Sequence, residues 1–261
     1  MFTFISGATG GLGKAYAYGC AKNGYDLFLT ARSAERLAAL KADLTAKYEN
    51  IKVEFFPCEL TSEVSRRELI AHIEENGFKF DRIINVAGAD IQKPFLEYTP
   101  EKAVFQIRVN CEATLLLTLG LLKNRAENTE VLTVGSMSGV SPMPYFAIYS
   151  ASKAFLESFF TSLHYELKKD GVKVTTVLPG GMPTRADLVE EIKKQGLGGK
   201  LSSKPPEFVV EKSLKAVKRN KIICVTGAFN KFLYVMMKIV PKRITLKFIA
   251  KRWSHYRKDA F

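Results

Sequence analysis

Residues that build metal centres and disulfide frameworks are scarce. The 261 residues include four cysteines and three histidines. Cys20, Cys58, Cys111 and Cys224 stand far apart, as do His72, His164 and His255. No pair has ligand or CxxC spacing, so a zinc site is not expected, and small buried thiols in a reducing compartment are. Long apolar runs are also missing. FLYVMMKIV (232–240) is broken by Lys238 and falls well short of the ~20 residues that span a bilayer. The opening MFTFISGATG reads as a strand and a glycine turn rather than a secretory leader. Acidic residues are rare only in the last quarter. Residues 193–261 hold 18 Lys and Arg against three acids, whereas 1–192 hold 21 against 23. The net charge of +13 therefore belongs to one end of the chain and needs its own explanation there.

With 47% hydrophobic and 25% charged residues, the rest is ordinary globular sequence. Short β-rich runs occur at 2–6, 25–30, 52–57, 82–87, 130–135, 173–178 and 222–226. Helix-period stretches lie between them, among them 34–49 and 62–76, with Val64, Leu69, Ile70 and Ile73 expected on one face of the latter. This alternation predicts an α/β fold with a doubly wound parallel sheet of about seven strands, covered on both faces. The Gly-, Pro- and Lys-rich stretch 181–206 interrupts the alternation and is expected to be a functional loop.

SGATGGLG (6–13) lies between the first strand and the first helix, with Gly7, Gly11 and Gly13 in G-x-x-x-G-x-G spacing. Glycine permits the tight turn and close approach to a pyrophosphate, and the amides of the helix start bind its oxygens. The second strand ends in Ala31-Arg32. A site for NAD wants a carboxylate there, whereas arginine suits a 2′-phosphate, so NADP(H) is the expected cofactor. GLGGKLS (196–202) is not a P-loop, because Leu201 stands where Ser or Thr must follow the lysine.

YSASK (149–153) places Tyr149 and Lys153 one helical turn apart, thirteen and seventeen residues after Ser136. Taken singly, these residues fit a core tyrosine, a surface lysine and a loop cap. Taken together and in order, the motifs resemble those of the short-chain dehydrogenase/reductase superfamily over about residues 1–227. They are most similar to its NADP-preferring hydroxysteroid and 3-ketoacyl reductases. Ser6 stands where the family usually has threonine, and Asn85-Val86-Ala87-Gly88 matches its N-N-A-G motif.

The resemblance implies a Rossmann-like fold and ketone–alcohol interconversion. Tyr149 would be the general acid/base, Lys153 would lower its pKa, and Ser136 would donate to the substrate oxygen. Asn110 would hold a water linking Lys153 to solvent. Ser138 is the second candidate for the serine role. Cofactor contacts would fall on Gly7, Thr9, Gly10, Gly11 and Leu12 in the first turn. Arg32, Glu59 and Leu60 would follow the second and third strands, and Asn85, Ala87 and Gly88 the fourth. Tyr149 and Lys153 would contact the cofactor too, as would Pro179, Gly180, Met182 and Thr184. Glu59 stands where the family has aspartate, and Pro183 interrupts the turn after Gly180. A homo-oligomer is usual in the family.

After residue 227 the composition changes. Phe232, Val235, Met236, Ile239 and Val240 recur at helical spacing, and Ile249, Trp253 and Tyr256 continue a stripe after Pro241. Residues 228–261 are expected to form basic amphipathic helices broken at Pro241. Two readings stand side by side: apolar stripes packed over the active-site end or a subunit partner, or a peripheral contact with an anionic membrane. Nucleic acid is not expected, since no recognition motif accompanies the charge. The substrate is expected to be a small lipophilic ketone or alcohol of steroid or fatty acyl type. It would be shaped by 181–206, the C-terminal helices and an apolar wall from Pro142, Met143, Tyr145 and Phe146. The chain is expected in the cytoplasm, in solution or at a membrane surface. The competing class is a nucleotide-binding sensor, or a membrane-surface interaction protein, on the same fold without turnover.

Overall fold

The computed structural model describes residues 1–184, 186–194 and 196–254. Seven strands, β1 (Phe2–Ser6), β2 (Asp26–Ala31), β3 (Val53–Pro57), β4 (Phe80–Asn85), β5 (Arg125–Val134), β6 (Lys173–Leu178) and β7 (Ile223–Val225), form one sheet. Their order is β3-β2-β1-β4-β5-β6-β7 and every pairing is parallel. The chain starts in the middle, winds outward to β3, returns beside β1 at β4 and continues to β7. The order reverses between β1 and β4, and the crevice at the carboxyl ends of these strands is where an open α/β sheet binds ligands.

Both faces of the sheet are apolar, as buried parallel strands require. Ile5, Leu27, Leu29, Ile84, Leu132 and Val177 point one way, toward α1 (Gly11–Lys22), α2 (Ala34–Lys47) and α9 (Pro206–Lys218). Phe4, Phe28, Ile83, Val131 and Val174 point the other way, toward α3 (Glu63–Glu75), α5 (Ala113–Lys123) and α6 (Ala147–Glu166). On α3, Leu69 and Ile73 are buried as expected, whereas Val64 lies in the first turn and is 63% exposed.

β5 begins five residues before the expected Glu130. Asn128 takes a left-handed φ of 59°, which asparagine tolerates, and the pairing with β4 shifts register there. The stretch 181–206 is not one loop. It contains α7 (Ala186–Lys194) and α8 (Gly196–Ser202). Between α4 (Pro100–Ile107) and α5 a single π-helical turn, Arg108–Glu112, carries Asn110; such turns recur at functional sites.

The end of the chain forms α10 (Ala228–Ile239) and α11 (Lys242–Trp253), separated at Pro241 as expected. Glu157 of α6 accepts hydrogen bonds from Lys238 Nζ (3.2 Å) and the Tyr234 hydroxyl (3.4 Å), which fastens α10 to α6. Trp253 of α11 packs on Phe146 with ring centres 5.3 Å apart. Both helices thus fold back over the carboxyl end of the sheet. Tyr256 and His255 lie outside the described residues.

Candidate active site

The first turn is shaped by missing side chains. Gly7 has φ +65°, and a Cβ there would lie 2.9 Å from the Ala87 Cα. A Cβ on Gly13 would lie 2.1 Å from the Gly7 carbonyl oxygen, and one on Gly11 would lie 2.7 Å from the Thr184 Cβ. Gly10 precedes α1 without a side-chain cap, so the helix start offers bare amides. Ser6 joins this turn to β4 by accepting hydrogen bonds from the Val86 and Ala87 amides. The hydroxyl that replaces threonine therefore has a defined task. The cradle fits a pyrophosphate.

Arg32 is exposed just beyond β2. Arg36, one turn into α2, donates to the Thr9 carbonyl at 3.0 Å. Arg36 therefore lies against the glycine turn, and Arg32 follows β2 four residues earlier in the chain. Arg36 was not a sequence candidate, because its role depends on α2 folding back against the glycine turn. Glu59 accepts from the Thr61 amide and hydroxyl with one carboxylate oxygen, which fixes the turn after β3. Buried Arg66 holds that loop by donating to the Leu60 carbonyl and pairing with Glu112 of the π-turn. Asn85 braces the sheet against α5 through Thr118 and Thr133.

After β6, the Pro179 carbonyl accepts from the Met137 amide. The Thr184 amide donates to the Met182 carbonyl at 2.8 Å, forming a three-residue turn centred on Pro183. Proline thus tightens this turn and brings Thr184 against Gly11. Gly180 sits closely below α8 and α10: a Cβ there would lie 2.5 Å from the Ser202 carbonyl oxygen.

The catalytic candidates converge. Ser136 follows β5, and its Oγ accepts from the Ser138 amide at 3.0 Å. Its hydroxyl is near enough to the Tyr149 phenol to pull that phenol's pKa down. Ser138 therefore acts through its backbone in fixing Ser136. Lys153 is buried and donates to the Val134 carbonyl at 3.0 Å, with Nζ 5.9 Å from the centre of the Tyr149 ring. Gly139 lets the 3-10 turn Met137–Gly139 approach α6: a Cβ there would lie 2.7 Å from the Lys153 carbonyl carbon.

Asn110 has a second task besides the expected one. Its Oδ1 accepts from the Ala89 amide (2.7 Å), and its Nδ2 donates to the Ala89 carbonyl (3.0 Å) and Ser152 Oγ (2.9 Å). The side chain thus ties the segment after β4 to α6.

Burial pushes the Tyr149 phenol well above its ordinary pKa, the Asp90 carboxylate pushes it further, and the Ser136 hydroxyl opposes them. Lys153 is perturbed as well. Its own ammonium is lowered to about 8 by burial, with Asp90 working against that. Asp90 was missed in the sequence because nothing local marks it. It follows the N-V-A-G segment and reaches the site because that segment passes Lys153 of α6: a Cβ on Gly88 would lie 3.5 Å from Lys153 Nζ. It is tethered to the Gln92 amide.

These groups lie at the floor of a cavity of about 780 Å³. Its walls come from Met143 and Phe146, from Leu188 and Ile192 of α7, from Leu233 and Met237 of α10, and from Ile249 and Trp253 of α11. Of the expected wall 142–146, Met143 and Phe146 face the cavity; Pro142 and Tyr145 are not among its lining residues.

The profile of the short chain dehydrogenase family matches residues 2–195. The very-long-chain 3-oxoacyl-CoA reductase of Vanderwaltozyma polyspora is 34% identical over 189 residues, covering 68% of this chain and 54% of the relative. That of Neurospora crassa is 34% identical over 179 residues, covering 67% and 54%. The chain thus spans about half the length of the curated relatives it matches. Among solved structures, one described for 7beta-hydroxysteroid dehydrogenase stereoselectivity superposes with a TM-score of 0.84 at 21% identity, covering 95% of this chain and 96% of that one. A short-chain dehydrogenase from Sphingobium yanoikuyae in complex with NADPH gives 0.74 at 25% identity, covering 100% and 98%. With a glycine turn at the switch point, the Tyr149–Lys153 pair on α6 and the profile match over most of its length, the chain belongs to the short-chain dehydrogenase family.

Proposed function

We propose that the protein is an NADP(H)-dependent oxidoreductase interconverting a ketone and a secondary alcohol in a lipophilic molecule of fatty acyl or steroid type. The observation that carries this reading is the placement of Ser136, Tyr149 and Lys153 at the floor of a largely apolar cavity that also includes Leu12, Gly180, Met182 and Thr184. The glycine turn, the α1 start and Thr184 would hold the cofactor, with Arg32 and Arg36 on its 2′-phosphate. Bound there, the nicotinamide supplies or accepts the hydride.

The protein supplies the proton and the field. In the reducing direction the carbonyl oxygen sits between the Ser136 and Tyr149 hydroxyls. With one lone pair filled by the Ser138 amide, Ser136 turns its hydrogen toward that oxygen and stabilises the charge that develops there. Tyr149, held protonated by burial, transfers its proton to the alkoxide. The phenolate left behind is restored from Lys153, whose lowered pKa suits it to give up a proton near neutrality. In the oxidising direction the same protons move the other way. Replacing Tyr149 with Phe should abolish turnover and leave NADPH affinity intact; turnover surviving in this variant would sink the assignment.

In this reading, residues 1–227 form the catalytic unit and 228–261 an extension whose helices α10 and α11 roof the substrate cavity. The four free cysteines suit a cytoplasmic setting. The outer faces of α4, α5 and α6 expose Val104, Ile107, Leu116, Leu119 and Phe155. A second copy docked on this row would give the homo-oligomer.

A further inference from the structure

The two C-terminal helices carry two apolar faces where one would suffice to roof the cavity. Leu233, Met237, Val240 and Ile249 line the cavity. Phe232, Val235 and Ile239, at i, i+3 and i+7 of α10, do not line it and are 59%, 52% and 71% exposed. Met236, Ile244 and Phe248 are both exposed and part of the cavity lining, so they form its rim. The apolar interior of the cavity is thus continuous with an apolar outer surface.

The surroundings of this surface have one sign of charge. Residues 228–253 contain seven Lys and Arg and no Asp or Glu. Lys238 is paired inward with Glu157, while Lys231, Lys242, Arg243, Lys247 and Lys251 are exposed beside the apolar row.

We propose that the outer face of α10 and α11 docks on an anionic lipid surface. Phe232, Val235 and Ile239 enter the interfacial layer, and the cavity rim opens against the bilayer. Apolar side chains flanked by lysine and arginine on an amphipathic helix match the two attractions such a surface offers. A second copy is the poorer occupant. A two-fold contact through this face would set the same cations against one another with no acid between them. A nucleic acid would meet the cations but would have no use for the apolar row at their centre. Docking itself does not depend on the catalytic reading; only delivery of a lipophilic substrate through the rim rests on it.

The test is flotation of the full chain with vesicles of phosphatidylcholine alone, or containing about a third phosphatidylglycerol. Binding is expected to the anionic vesicles only, weakened about tenfold at ~0.5 M salt. The double variant Phe232→Ser, Ile239→Ser should lose about tenfold in affinity. Lys242→Glu combined with Lys247→Glu should bind no vesicle. All of these residues lie on the outer surface, so NADPH titration by nucleotide fluorescence should be unchanged and reports that each variant is folded. No flotation of the wild type, or undiminished flotation of the Phe232→Ser, Ile239→Ser variant, overturns the proposal. So does a drop in mass by sedimentation velocity in that variant, which would give the face to a second copy. Failure of the wild type to bind NADPH would overturn the catalytic reading and leave the lipid result standing.

Discussion

Gly11 and Thr184 come so close that a Cβ on Gly11 would lie 2.7 Å from the Thr184 Cβ. The first helix and the turn around Pro183 thus close on the same point from opposite sides of the switch-point crevice. At Gly11, the first residue of α1, alanine would be a better helix former by roughly 0.5–1 kcal/mol. It would also push Thr184 away. Gly11→Ala is expected to lower NADPH affinity by about tenfold or more with little change in Tm, measured by fluorescence titration and thermal melting. Undiminished affinity would show that Thr184 does not need this approach.

Cofactor preference should rest on Arg32. Charge-assisted hydrogen bonds to a phosphate contribute about 1.5–3 kcal/mol, so Arg32→Ala should weaken NADPH binding about 10- to 100-fold and leave NADH binding where it was. Parallel titrations with the two nucleotides decide this. An equal loss for both would make the residue a general support of the turn.

Removing the Tyr149 hydroxyl should lower kcat by about 10³-fold or more, and Ser136→Ala by about 10²-fold, with NADPH affinity retained in both. Single-turnover kinetics with a lipophilic ketone checks this. The two losses should not add, because the Ser136 hydroxyl and the phenol serve one oxygen.

The Asp90 carboxylate raises both Tyr149 and Lys153. Asp90→Asn should therefore lower both. The alkaline limb of kcat/KM, expected near pH 8 where Lys153 loses its proton, should move to lower pH in this variant. An unmoved limb would assign it to another group.

Lys153 also predicts how stability depends on pH. Its pKa is lowered to about 8 in the folded protein from an ordinary value of 10.5. Between these values the unfolded chain binds the proton and the folded one does not, so this residue makes stability rise with pH across that window. Below about pH 8 both states are protonated and the cost of burying the charge is fully present. Lys153→Met should remove this rise, which urea denaturation at pH 7.5 to 10.5 can measure.

Asn110 is expected to matter for stability as well as for chemistry. Asn110→Ala deletes three buried hydrogen bonds and leaves the Ala89 amide without its side-chain partner, at a cost of about 2 kcal/mol or more. Denaturant unfolding of the variant gives the value directly.

Much of this protein was decided locally, and the sequence alone determined it. Alternating β-rich and helix-period segments specify a buried parallel sheet, because apolar residues at successive positions, such as Phe4 and Ile5, can only be buried on opposite faces. Glycine spacing and the Tyr149–Lys153 turn are equally local, since each depends on backbone geometry within one element. What the sequence did not determine are relationships between segments far apart in the chain. Asp90 reaches the site because the segment after β4, at Gly88, passes Lys153 of α6, 65 residues further along the chain. Arg36 reaches the glycine turn across 27 residues, and Asn110 is occupied by Ser152 across 42. The amphipathic pattern of the last helices is visible in their periodicity, but a stripe does not say what covers it. Only the tertiary structure, through Glu157 holding Lys238 and Phe146 receiving Trp253, turns one flank of that stripe onto the cavity and leaves the other facing outward.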